Sequence, residues 1–153
     1  MALLLAFLIG FLAGLRSLTA PAATGWAVHL GWMKLRGQLA LIGSIPAVAI
    51  FTLLAVVEMV ADKLPNTPSR TAPPGLIARI VIGGLTGACI AVAGGKGALL
   101  GALFGIIGGI MGCFGGFHAR TRLVKAVGTP DIYVALLEDL VAITGSLWVV
   151  SRF

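Results

Sequence analysis

Charge is scarce in this sequence. Lys, Arg, Asp and Glu together make up 10% of it, and only five residues are acidic: Glu58, Asp62, Asp131, Glu138 and Asp139. A water-facing globular surface uses roughly 25% charged residues. This chain cannot cover itself in water, so lipid must be its solvent. Cysteine is almost missing too. Cys89 and Cys113 are the only two, both inside apolar runs, with no C-x-x-C or Cys/His spacing. That argues against a thiolate metal site, and both are read as buried thiols that act as small hydrophobes. There is no Ser/His pair at a sensible spacing, no H-E-x-x-H and no phosphate loop, so no enzyme, metal or cofactor is expected. A basic face is absent as well. The net charge is +6, but the basic residues stand singly or in small groups between apolar runs. Nucleic acid is therefore not an expected partner, and short basic loops beside membrane lipid are.

What is present is apolar. The hydrophobic fraction is 59% and the mean hydropathy +1.08 over 153 residues. The expected fold is an all-α, polytopic transmembrane bundle, a single domain over residues 1–153. A spanning helix needs about 20 apolar residues, which divides the chain into about five segments. The first, residues 2–33, is too long for one straight span. Arg16, Ser17, Thr19 and Pro21 interrupt it, so the first helix is expected to be broken or kinked between Arg16 and Pro21. Ala20-Pro21-Ala22 mimics a signal-peptide cleavage site, but no Lys or Arg precedes the apolar core, so the segment is read as retained. Further segments are expected at 39–61, 76–93, 98–117 and 132–150. A proline-rich linker over 62–75 reads as stiff and non-helical. In the last segment Thr129 is the expected N-cap, Pro130 the first helical residue, and Asp131 lies against the positive helix end. An odd number of spans puts the termini on opposite faces. A slight Lys/Arg bias favours an N-terminus inside the cell, in a multi-pass inner-membrane protein.

Two residue sets carry the functional expectation. Gly97, Gly101, Gly105 and Gly109 recur every fourth residue, which places a close-packing seam on one helix face. The acidic residues form the other set. Glu58 lies late in one helix and Glu138 early in an oppositely directed one, so both reach a similar depth. Asp62 shares a face with Glu58, and Asp139 adjoins Glu138. A carboxylate in hydrocarbon is costly unless it is paired, neutralised or wetted, so all four should face the interior. Arg16 is the natural counter-ion, with Lys63 or Arg79 as alternates. The leading expectation is a transporter or channel-like permease that uses this cluster for a small solute or ion. The alternative is a non-transporting scaffold or lipid-organising subunit in which the cluster is a structural ion-pair network. Four charged groups in so small a bundle, together with the glycine face, also suggest a homo-oligomer, most simply a dimer.

An inverted repeat, the usual transporter signature, is not supported. Ala55-Val56-Val57-Glu58 resembles Ala135-Leu136-Leu137-Glu138, but inverted copies would place the two glutamates at opposite depths. The stretch Glu58-Met59-Val60-Ala61-Asp62-Lys63-Leu64-Pro65, then Thr67-Pro68, then Leu136-Leu137-Glu138-Asp139, resembles the family labelled domain of unknown function 4126. These are small, mostly bacterial integral membrane proteins. The resemblance implies a membrane fold and points to the same acidic positions, with no activity attached.

Overall fold

Each helix boundary follows from local chemistry. The computed structural model describes residues 1–63, 71–128 and 130–153. Helix α1 is Ala2–Leu15, ended by Arg16 in extended backbone. Helix α2 is Thr19–His29, with Pro21 in its first turn, where a missing N–H costs nothing. A 3-10 turn over Gly37–Gly43 leads to α3, Ile45–Ala61. Ser44 caps α3 by accepting from the Ala47 N–H at 3.4 Å. Helix α4 is Pro73–Ala93, α5 is Ala98–Val127 and α6 is Asp131–Val150.

Contacts fix the helix directions. Leu12 lies against Gly145 and Arg16 against Asp139, so α1 and α6 are antiparallel. Gly10 and Gly14 meet Gly105 and Gly109, so α1 runs with α5. Gly83 and Gly87 meet Gly105 and Gly101, so α4 runs against α5. Ser17 and Leu18 touch Glu58 while Trp26 touches Thr52, so α2 runs against α3. Arg79 reaches Glu58, and Leu85 lines the same cavity as Phe51, so α3 runs against α4. Hence α3 runs with α1, and α2 runs against it. The first two helices form a hairpin with Arg16-Ser17-Leu18 at its tip.

That hairpin corrects the expected architecture. At 14 and 11 residues, α1 and α2 reach roughly 21 and 16 Å, short of a hydrocarbon core of about 30 Å. The chain doubles back at Arg16 and does not pass through as one bent helix. Among the described residues, 3 helices (α4, α5 and α6) are long and apolar enough to cross a membrane, not five. A fourth span exists if the 3-10 turn and α3, bent by 58°, count as one. The bent span is therefore this pair and not the first segment. The termini are corrected with it. Gly94 packs between Ala2 and Phe153, so both chain ends and the α4–α5 turn gather at one end of the bundle.

Three boundaries also move. Pro73 and Pro74 sit in the first turn of α4, which proline suits, and do not extend the linker. Helix α5 continues ten residues past the expected stop at Phe117 and ends on Gly128, whose φ of 64° only glycine adopts readily. Pro130 is the N-cap of α6 and Asp131 its first residue; Thr129 and residues 64–70 lie outside the described residues.

Packing is glycine-driven where α1, α4 and α5 meet. A methyl at Gly105 would collide with the Gly83 carbonyl, and one at Gly112 with the Phe11 carbonyl. Gly101 abuts Ala91 and Gly87, and Gly109 abuts the Arg79 carbonyl. Gly97 takes no part: nothing lies within 4 Å of a methyl placed there, because it is the N-cap of α5. The outer faces of α3, α5 and α6 expose Leu53, Val57, Leu103, Ile107, Leu137 and Leu140, as lipid contact requires.

Candidate functional site

Polar chemistry collects where the hairpin tip meets the ends of α3, α4, α5 and α6 nearest the linker. Arg16 is the centre. It ends α1, and its side chain is 1% exposed. Its Nη2 lies 3.0 Å from Asp62 Oδ2 and its Nε lies 2.6 Å from Asp139 Oδ1. These contacts are ionic and off-line, because neither Nε nor Nη2 makes a directed hydrogen bond. Asp139 also takes Lys63 Nζ at 2.7 Å. Lys63, two residues past the end of α3, stretches back to donate to the Met59 carbonyl at 2.8 Å.

Glu58 is placed differently from its neighbours. It reaches from α3 to the two residues that lead into α2, whose N–H groups lie outside either helix's hydrogen-bond ladder. Its Oε1 accepts from the Ser17 N–H at 3.0 Å and the Ser17 hydroxyl at 2.7 Å. Its Oε2 accepts from the Leu18 N–H at 2.9 Å. The negative carboxylate also faces the positive end of the α2 dipole. Arg79 Nη2 lies 3.5 Å away, and that guanidinium is tied to α1 and its own helix through the Gly14 and Gly75 carbonyls. One carboxylate thereby caps a half-helix that begins inside the bundle.

Arg120 closes the ring from α5. Its Nη1 lies 2.7 Å from Asp62 Oδ2 and 3.7 Å from Glu138 Oε2, and its Nη2 lies 2.5 Å from Asp131 Oδ2. All five acidic residues of the chain therefore interlock with Arg16, Lys63, Arg79 and Arg120.

Glu58, Asp62, Glu138 and Asp139 thus share one layer, with Arg16 and Lys63 among them. The pairing is finer than a single pool. Arg16 serves Asp62 and Asp139, while Glu138 faces Arg120 and Glu58 faces Ser17, Leu18 and Arg79. Sequence reasoning missed Arg120 and Asp131 as members, because α5 was expected to stop at Phe117. A signal was there: no Gly or Pro interrupts the chain between Phe117 and Gly128. The sequence marks Ser17 only as part of a helix break, and nothing local marks it as a partner for Glu58.

Among the described residues no group of His, Cys, Asp or Glu is arranged to hold a metal ion. His29 and His118 each pair with a backbone carbonyl, of Gly43 and Phe114. The two features that suggest a dimer, the charges needing shelter and the glycine face, are both accommodated within one chain.

Residues 3–151 match the family model described as Domain of unknown function (DUF4126). No curated protein and no solved structure matches the chain.

Proposed function

The chain belongs to the DUF4126 family, and we propose that it is a non-enzymatic, non-transporting scaffold that organises lipid around a fixed helical bundle. One observation carries this reading. Arg16, at the tip of a hairpin too short to cross the membrane, is clasped between Asp62 and Asp139 with 1% of its side chain exposed. A carrier site needs a carboxylate that can exchange its partner for an ion or a proton. Here each carboxylate already has a cation or a helix N-terminus, and each partner also holds a different helix. Buried pairs of this kind fix geometry more than they add stability. An all-helical bundle suits the inner membrane, since outer-membrane spanning proteins are β-barrels.

The test is flux. Protein reconstituted with a trapped pH-sensitive dye is given a pH jump, and parallel vesicles receive small cations. Decay indistinguishable from protein-free vesicles is the expected result. A protein-dependent flux that disappears in a folded Glu138→Gln variant would overturn the reading in favour of transport.

A further inference from the structure

Helices α5 and α6 follow one another in the chain, yet apart from the ion pairs of Arg120 they touch little, because α5 packs on α1 and α4 and α6 packs on α1 and α2. The gap between them is an open groove of about 370 Å³. Phe11 and Leu15 of α1 line it, with Ala119 and Leu123 on the α5 side and Leu137 and Val141 on the α6 side. Arg120 and Glu138 are the polar residues that reach it, and they face each other. Beyond that pair α5 runs on for two more turns and carries Arg122 and Lys125, both exposed. Arg122 stands three residues after Ala119 and so continues the row that walls the groove. Among the described residues neither pairs with an acid, and Asp131, the nearest acid in sequence, is held by Arg120.

We propose that this groove is a binding site for one anionic phospholipid, an acyl chain lying between α5 and α6 and the phosphate held by Arg122 and Lys125. The apolar walls select a hydrocarbon tail. The two uncompensated cations at the groove's polar end select a negative headgroup over a zwitterionic one. This rests on the lipid-organising reading and names its ligand class. Each basic residue near the headgroup layer should favour the anionic lipid by about fivefold.

The test uses the purified full chain in micelles containing equal phosphatidylglycerol and phosphatidylcholine, with retained lipid counted by native mass spectrometry. The parent should keep one lipid, preferentially phosphatidylglycerol. Arg122→Gln with Lys125→Gln should keep a lipid but lose the preference. Ala119→Phe, which fills the groove, should lose both lipids. Folding is checked by the buried thiols of Cys89 and Cys113, which must stay unreactive to maleimide. If Ala119→Phe fails that check, Val141→Trp fills the groove from the opposite wall. An unchanged preference in the double variant, or parent-level lipid in the filled variant, would overturn the proposal. So would displacement of the lipid by inorganic phosphate, which would make the site one for the anion alone. Failure here leaves the flux result untouched, so the two readings fall separately.

Discussion

Glu58 offers the sharpest perturbation, because its carboxylate terminates a helix that would otherwise begin unsatisfied inside the bundle. Glu58→Ala removes the acceptor for the Ser17 and Leu18 N–H groups and for the Ser17 hydroxyl. Each buried donor left without a partner costs about 1–3 kcal/mol. The two N–H groups alone therefore cost about 4 kcal/mol, before the loss of the favourable helix-end charge. Glu58→Gln keeps one accepting oxygen, enough for Ser17, and orphans Leu18, so it should cost about 1–3 kcal/mol. Arg79 softens both losses by retaining the Gly14 and Gly75 carbonyls. The assay is equilibrium unfolding in mixed micelles with increasing SDS, read by labelling of Cys89 and Cys113, which are buried in the folded chain. Alanine should destabilise clearly more than glutamine. The capping argument fails if Glu58→Ala lies within about 0.5 kcal/mol of the parent, as an inert surface change would. It fails equally if glutamine is as damaging as alanine, because charge and not hydrogen bonding would then be what matters.

The glycine seam predicts an asymmetry along α5. Gly105→Ala, whose methyl meets the Gly83 carbonyl, should cost roughly 1–3 kcal/mol in the same unfolding assay. Gly97→Ala, with nothing within 4 Å, should cost clearly less, no more than the roughly 1 kcal/mol that alanine costs at an N-cap, and equal effects would refute the seam. Topology predicts that single cysteines at Ala2, Lys96 and Arg152 label from one face of the membrane, and one at Lys125 from the other. Labelling of positions 2 and 152 from opposite faces would restore an odd number of crossings and remove the hairpin.

The membrane class and the helical segments were legible because hydrocarbon leaves so few alternatives to an apolar helix. The common depth of Glu58 and Glu138 was legible for a related reason: position within oppositely directed helices sets depth without knowledge of packing. The fold-back at Arg16 was not. A kink, a pair of half-helices and a hairpin all begin with the same Arg-Ser-Leu interruption. What decides among them is Glu58, 40 residues from Leu18, arriving to satisfy the start of α2. The overrun of α5 hid for the opposite reason. His118, Arg120 and Arg122 look like a loop to a hydropathy reading, yet they form helix because polar ends can leave the hydrocarbon and Gly128 supplies the stop. Arg120 consequently went unassigned, although it bridges Asp62, Asp131 and Glu138. Pro73 and Pro74 misled for a third reason, since proline breaks a helix interior but suits a helix start.

The central claim is that the cluster is a clasp, and the coupling between Arg16 and Asp139 tests it most directly. Asp139→Leu should be strongly destabilising, roughly 3–5 kcal/mol, because it leaves a buried guanidinium with only part of its compensation. Arg16→Met should cost less, since Asp62 retains Arg120 and Asp139 retains Lys63. The double variant Arg16→Met/Asp139→Leu should recover stability over Asp139→Leu alone, with a coupling energy of about 1–3 kcal/mol. Additive losses, with the double variant the least stable of the three, would contradict the clasp.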